Sequence, residues 1–252
     1  MISVKEDLKD FYNRYAKKYH ETRKKHREEA DIILNEITQE KIKKISILEF
    51  WCWWWRFITY LNNKFPKTQI NYIWVDLSSS LIKLAKKDNP QNNFICADIS
   101  EYIKDAKQES FDYIIWTESF QHIPTNKERF FLMKNFYRVL KYDGKIVITN
   151  RCLSNRFIKK YIKNILNAII SYIISFGKKS PRDIFVPRKS ADNKKEYRFY
   201  HIFWLKELEN LSKLSWFIIS KIWYIQKDNS VSRERQNART SLLILSKKVF
   251  NS

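Results

Sequence analysis

The stretch from Ile47 to Leu61, "ILEFWCWWWRFITYL", holds four of the chain's nine tryptophans within five positions, at 51, 53, 54 and 55. A short apolar run precedes this cluster and a segment of helical spacing follows it, so the cluster lies in a strand-to-helix connection. Such a connection uses glycine wherever φ is positive or the backbone approaches a ligand. Yet the 252 residues include only two glycines, whereas average usage is roughly 7%.

The rest of the chain alternates short apolar runs with helix-periodic segments. This alternation predicts an α/β fold with a mostly parallel, seven-stranded central sheet and helices on both faces. The predicted strands are 45–50, 70–76, 93–98, 111–116, 144–150, and a closing antiparallel pair at 216–226 and 238–248. The expected regions are an N-terminal helical segment (1–40), a core (41–150), a basic helical insertion (151–198), and a C-terminal helix with two strands (199–252).

Replacing Trp by Gly in the opening stretch gives "LEFGCGGGRF", which resembles the glycine-rich turn of class I S-adenosylmethionine-dependent methyltransferases. The resemblance implies their Rossmann-like fold, with a helical insertion after the fifth strand. The same replacement at Trp74 gives "NYIGVDLS", similar to the family's second strand, and it also fits Trp216 and Trp223. Some bacteria read the codon UGA as glycine, while another variant code reads it as tryptophan. We therefore hypothesise that these tryptophans stand for glycines; real tryptophans would instead indicate an inactive binding protein.

Several motifs resemble this family without any replacement, and the resemblance implies a cofactor site for S-adenosylmethionine. A carboxylate after the second strand accepts the ribose hydroxyls, a role that falls to Asp76. Asp98 and Ile99 would contact the adenine, and Arg23 would pair with the carboxylate of the methionine moiety or of the substrate. The implied cofactor residues are Arg23, Glu49, Trp51, Trp53, Trp55, Asp76, Leu77, Asp98, Ile99, Thr117 and Glu118.

A narrower resemblance is to the wobble-uridine tRNA methyltransferases of the Trm-nine/ALKBH-eight kind. It rests on "FYNRYAKKYHETRKK", with its Thr-Arg pair, and on "RFYHIF", residues 198–203. Two departures are the missing Trp-Pro after the Thr-Arg pair and Gln121 in place of a histidine. The resemblance implies tRNA as substrate and a small activator protein as a further partner. A small-molecule or lipid methyltransferase is the alternative.

Three residues are catalytic candidates. His122, just past the fourth strand, would act as a base or orient a substrate oxygen. Arg198 and His201, with Tyr200, would form the substrate wall. Each of them has a structural alternative, either a hydrogen-bonded histidine or packing of the returning chain.

The net charge of +21 is concentrated in the insertion. Residues 151–198 contain 13 Lys and Arg and 3 Asp and Glu, a net +10. Such a segment favours a polyanionic partner such as tRNA or an anionic membrane, unless it only reflects a lysine-rich proteome. The amphipathic helix at 157–176 is interpreted as a lid, as core packing or as a membrane-surface helix.

The sequence gives no indication of metal binding or secretion. The histidines and three cysteines show no metal-ligand spacing, so we expect neither a metal nor disulfides. The N-terminus has no apolar signal region, which predicts a cytoplasmic protein. We also expect no transmembrane helix.

Overall fold

The computed structural model describes residues 4–22, 28–37, 43–50, 57–189, 195–235 and 237–247. Helices and strands alternate along the core as predicted. The helices are α1 (Val4–Thr22), α2 (Glu28–Glu36), α3 (Phe57–Lys64), α4 (Ser79–Asp88), α5 (Ile99–Asp105), α6 (Asn126–Val139), α7 (Asn155–Ile174) and α8 (Leu205–Leu214). The strands are β1 (Lys44–Phe50), β2 (Gln69–Asp76), β3 (Asn93–Cys96), β4 (Phe111–Thr117), β5 (Leu140–Arg151), β6 (Asp183–Lys189), β7 (Lys195–His201), β8 (Phe217–Gln226), β9 (Val231–Ser232) and β10 (Ala238–Lys247).

The central sheet has the strand order β3-β2-β1-β4-β5-β10-β8-β9. Strands β1 to β5 are parallel to one another, while β10 runs antiparallel to both β5 and β8. The predicted fold class is confirmed. The sheet has eight strands rather than seven, because the two-residue β9 pairs with the edge of β8.

The central strands β1 and β4 are buried on both faces of the sheet, as continuous apolar runs require. In β1, Ile47 packs into a cluster with α1, α2, α3 and α4. Its neighbour Leu48 packs into a second cluster with α5, α6 and α8. The central sheet is therefore covered by helices on both sides.

The strand order reverses between β1 and β4, where an open α/β sheet forms a crevice for a ligand. Phe50 of β1 is in register with Val75 of β2 on one side and Trp116 of β4 on the other. The last residues of β2 and β4 therefore reach the same edge of the sheet. After β2, Ser78 caps α4 by accepting a hydrogen bond from the backbone N of Leu81 at 3.2 Å.

The insertion, which the sequence analysis describes as helical, also contains two strands. Strands β6 and β7 form an antiparallel pair outside the central sheet. Ile184 and Val186 alternate inward and pack against Phe157 and Ala168 of α7. Pro187 has no backbone N–H to donate, but both strands of a two-stranded sheet are edge strands, where proline is tolerated.

Helix α7 begins after Ser154, whose hydroxyl accepts from the backbone N of Phe157 at 3.3 Å. Its backbone leaves helical geometry at Tyr161 (φ −123°, ψ 24°). Only Phe157 and Ala168 of α7 are buried, so the interpretation of 157–176 as core packing applies to this side of the helix alone. Within the described residues, no helix is both long and apolar enough to cross a membrane.

Candidate active site

A cavity of about 560 Å³ opens where β2, β4 and β5 end at Asp76, Thr117 and Arg151. Further walls come from α1, the first turns of α7, the β6–β7 pair and the start of β10. This volume is in the range of small-molecule sites, about 300–1,000 Å³. The cavity lies at the strand-order reversal, where the sequence predicts the ligand crevice.

The cavity lining brings together four of the predicted cofactor residues, Asp76, Leu77, Thr117 and Glu118. The side chain of Asp76 is buried at the end of β2, and its Oδ1 accepts a hydrogen bond from the backbone N of Ser78 at 2.7 Å. This bond fixes the carboxylate beside the cavity. An oriented carboxylate next to the apolar Leu77 has the chemistry that a ribose and an adenine require, so the residues present fit the predicted cofactor.

Glu118 has the unusual backbone φ of 47° for a residue with a side chain. Its backbone N donates to Thr149, at 2.8 Å to the carbonyl oxygen and 3.1 Å to Oγ1. Its carboxylate forms an ion pair with Arg151, whose Nη2 lies 3.1 Å from Oε1 and 3.2 Å from Oε2. The pair connects the ends of β4 and β5 and balances one negative charge in the cavity wall.

Arg198 is the most deeply buried cation of the cavity wall that the structure describes. Its Nη1 donates to the hydroxyl of Tyr12 at 2.8 Å and its Nη2 to that of Tyr200 at 2.7 Å, while Nε has no hydrogen-bond partner. Burial disfavours the charged form, but the hydroxyls of Tyr200 and Tyr12 outweigh it and hold the pKa of Arg198 above its ordinary value. No carboxylate of the described residues forms an ion pair with Arg198. A buried cation of this kind beside a cavity favours an anionic ligand.

Cations predominate over the whole cavity lining. Among the described residues that form it, the only acidic ones are Asp76 and Glu118, against eight basic ones. The cavity is therefore electropositive. The basic residues are Lys9, Arg151, Arg156, Lys160, Arg188, Arg198, Lys227 and Arg239.

His122 lies behind the cavity wall and does not line the cavity. Its Nδ1 is 2.7 Å from the carbonyl oxygen of Phe199, which can only accept, so Nδ1 carries the hydrogen. Its ring packs edge-on against Tyr200, with the centroids 4.8 Å apart. Burial, with a further contribution from the charge of Arg198, lowers the pKa of His122 to about 3. We therefore replace the predicted role of a base with one of positioning Tyr200.

His201 is likewise held away from the cavity, in a charged network. Its Nδ1 lies 2.6 Å from Asp183 and its Nε2 lies 2.9 Å from Glu207. Glu207 also accepts from Arg182 at 2.6 Å. This network joins β6, β7 and α8, so we assign His201 to anchoring the insertion instead of to the substrate wall.

Two other predicted cofactor residues are engaged elsewhere. Asp98 caps α5 by accepting from the backbone N of Ser100 at 2.6 Å, and it pairs with Lys5 at 3.1 Å. Ile99 is buried in the core between the sheet and α5. Neither residue lines the cavity, and their contact with an adenine stays a prediction.

The remaining predicted cofactor residues are Glu49 of β1 and four residues that the structure does not describe. Glu49 is buried within that strand, between Trp74 of β2 and Ile115 of β4. Trp51, Trp53, Trp55 and Arg23 lie outside the described residues.

The sequence analysis missed two residues of the cavity, Tyr12 and Arg151. Tyr12 lies on α1, and its hydroxyl accepts from Arg198. Arg151 ends β5 at the same sheet edge as Asp76 and Thr117, so its position was the signal that could have identified it. In the part of the chain that the structure describes, no three His, Cys, Asp or Glu side chains are grouped to hold a metal ion.

Comparison with known families identifies the central part of the chain. Residues 56–148 match the model of the family described as "Methyltransferase domain". This part of the chain is similar to a methyltransferase domain. This match confirms the predicted enzyme class, a methyltransferase. The cavity lies at the edge of the matched segment where strands β2 and β4 end. No curated protein matches this sequence.

Solved structures confirm the fold at low sequence identity. A methyltransferase from Methanosarcina mazei is similar with a TM-score of 0.63 and 18% identity, covering 86% of this chain and 98% of that one. A methyltransferase from Clostridium acetobutylicum is similar with a TM-score of 0.64 and 14% identity, covering 94% of this chain and 99% of that one. A third similar structure is the phosphoethanolamine N-methyltransferase 2 of Haemonchus contortus, in complex with phosphomonomethylethanolamine and S-adenosylhomocysteine. Its TM-score is 0.61 and its identity 14%, covering 99% of this chain and 61% of that one. All three support the S-adenosylmethionine-dependent methyltransferase fold.

Proposed function

We propose that the protein is an S-adenosylmethionine-dependent methyltransferase whose acceptor carries an anionic group. One observation carries this proposal: a single cavity is lined both by Asp76, at the end of β2, and by the buried cation Arg198, which has no carboxylate partner among the described residues. The carboxylate suits a ribose and the guanidinium suits an anion. The structure of the Haemonchus enzyme, bound to a phosphorylated substrate, supports an acceptor of this charge.

Asp76 would bind the ribose hydroxyls of the cofactor, and Leu77 would lie against its apolar part. When bound, the cofactor supplies a methyl group already activated on a positively charged sulfur. The chain itself then has to hold the acceptor in line with that methyl group and exclude water. Arg198, fixed by Tyr12 and Tyr200, is built for the first task.

The placement of His122 also favours an anionic acceptor. Because this histidine is buried outside the cavity lining, it is not positioned to remove a proton from an acceptor. A carboxylate or phosphate oxygen is already ionised near neutral pH and needs no base. Methylation of such an oxygen needs no proton removal, and Arg198 would contribute to positioning the acceptor.

Methyl transfer from labelled S-adenosylmethionine to three fractions, namely RNA, acidic metabolites and lipids, tests the proposal. We expect transfer to an anionic acceptor, lost in Arg198→Met but retained in the matched control Arg233→Met, since Arg233 is exposed and lies outside the cavity lining. Binding of S-adenosylhomocysteine should survive in both variants. Transfer that is unaffected by Arg198→Met would contradict the anionic-acceptor assignment.

Within this class, tRNA with a wobble uridine stays our candidate from the sequence. The "RFYHIF" motif supports it because two of its residues, Arg198 and Tyr200, line the cavity. The net charge of +10 over residues 151–198 suits a nucleic-acid backbone. If tRNA is the acceptor, we expect the affinity of the protein for tRNA to fall steeply as the salt concentration rises.

A lipid or other amphiphilic small molecule is the second candidate. The solvent-facing apolar residues of α7 favour it, because the first turns of this helix also line the cavity. If the acceptor is a small molecule, we expect added RNA to leave the rate of methyl transfer unchanged.

We also propose that the tryptophans of the glycine-rich turn stand for glycines. Trp216 supports this proposal, since its φ of 69° lies in the left-handed region, which favours glycine, directly after the end of α8. A peptide mass spectrum of the protein from its native host would settle the residue. Tryptophan at 51, 53, 54 and 55 would instead favour the alternative of an inactive binding protein.

A further inference from the structure

Helix α7 and the turn after it expose a row of large apolar side chains, which we name the α7 apolar surface. The exposure rises toward the end of the helix, where Ile173 is 66%, Ile174 71% and Phe176 94% exposed. Isolated exposed apolar residues are ordinary, but a contiguous set on one helix indicates an interaction site. The α7 apolar surface consists of Ile162, Leu166, Ile169, Ile170, Ile173, Ile174 and Phe176.

The other side of α7 already has its packing partners. Phe157 and Ala168 are buried against β6 and β7, and the side-chain amide of Asn164 donates to the carbonyl oxygen of Phe185 at 2.9 Å. These contacts fix which side of the helix faces outward. The α7 apolar surface is therefore not required for packing within the chain.

The charges around this surface identify what would cover it. Residues 151–182 contain no Asp or Glu, and they contain Arg151, Arg156, Lys159, Lys160, Lys163, Lys178, Lys179 and Arg182. The lysines at 159, 160, 163, 178 and 179 are exposed and flank the apolar surface at both ends. A second copy of this chain would bring the same cations together and be repelled, whereas an anionic lipid surface would attract them.

We propose that α7 and the turn through Lys179 lie in the interface of an anionic membrane, with the α7 apolar surface inserted among the acyl chains. The apolar side chains contribute burial and the flanking lysines contribute attraction to the headgroups. The helix is about 30 Å long at 1.5 Å per residue. Its first turns line the cavity through Arg156, Phe157, Lys160 and Tyr161, so docking would place the cavity mouth beside the membrane. The proposal concerns binding and does not depend on methyl transfer.

Co-sedimentation with vesicles tests the proposal, using phosphatidylcholine alone and phosphatidylcholine containing phosphatidylglycerol. We expect the protein to bind the anionic vesicles. The affinity of an Ile173→Gln/Phe176→Ser double variant for these vesicles should be lower by about tenfold or more. The matched control Leu214→Gln removes an equally exposed apolar side chain outside α7 and should bind like the wild type. Lys178→Gln/Lys179→Gln should weaken binding to anionic vesicles only.

Two results would overturn the proposal. One is a wild-type protein that stays in the supernatant with anionic vesicles. The other is binding that persists in the Ile173→Gln/Phe176→Ser variant, which would mean that general charge attraction, and not α7, holds the protein. Sedimentation velocity without vesicles completes the test: a wild-type dimer that this variant disrupts would assign the surface to self-association instead. Methyl transfer measured in detergent-free solution separates failure here from failure of the proposed function.

Discussion

Acidification should destabilise the protein through His122, because folding keeps this imidazole neutral. Burial, with the nearby charge of Arg198, lowers its pKa to about 3, while an unfolded chain has a histidine pKa of about 6.5. Below pH 6.5 the unfolded state therefore binds a proton that the folded state excludes, and stability is lost as the pH falls through that window toward 3. At pH 5 the loss is about 1.5 pH units at 1.36 kcal/mol each, or about 2 kcal/mol relative to pH 7.5.

Urea unfolding of the wild type and of His122→Asn at pH 7.5 and pH 5 measures this contribution. The asparagine amide keeps a donor for the carbonyl oxygen of Phe199 and cannot titrate. The variant loses ring packing against Tyr200 at both pH values, so only the difference between the two pH values is informative. We expect the wild type to lose about 2 kcal/mol more than the variant on acidification. His122→Gln should behave like His122→Asn; equal losses in all three proteins would refute the buried neutral histidine.

Further expectations concern the cavity and the cysteines. Asp76→Asn should weaken binding of S-adenosylhomocysteine by about tenfold to a hundredfold, because it removes a charge-assisted acceptor; calorimetric titration measures this, and unchanged affinity would remove Asp76 from the site. Tyr12→Phe should raise the KM for the acceptor about tenfold with little change in kcat, since Arg198 loses one of its two tyrosine partners; a selective loss of kcat would contradict a positioning role. Burial raises the pKa of Cys152 to about 11. Iodoacetamide at pH 8 should therefore modify the exposed Cys96 and leave Cys152 unmodified until the protein is unfolded. Peptide mass spectrometry measures the modification of each cysteine.

The sequence was sufficient for the fold because period and composition agree along the core. The central parallel strands β1 and β4 are apolar runs buried on both faces, and such runs are recognisable without the structure. Asp76 and Ser78 were predictable because their roles depend only on position, at the end of a strand and at the start of a helix. Arg198 was identified by a motif rather than by its physical surroundings.

The histidines were not predictable, because their roles depend on contacts between distant parts of the chain. His122 takes its partner from Phe199, and His201 takes Asp183 and Glu207. A polar residue gives the same sequence signal whether it faces a cavity or a buried network. The apolar period of α7 likewise predicts a helix with an apolar side, but it cannot say that this side faces solvent.

Equilibrium binding of S-adenosylhomocysteine to the purified protein tests the central claim most directly. The account predicts saturable, stoichiometric binding, together with protection of the protein against thermal unfolding. Absence of binding by a folded protein would contradict a cofactor site at Asp76, and with it the assignment of methyl transfer.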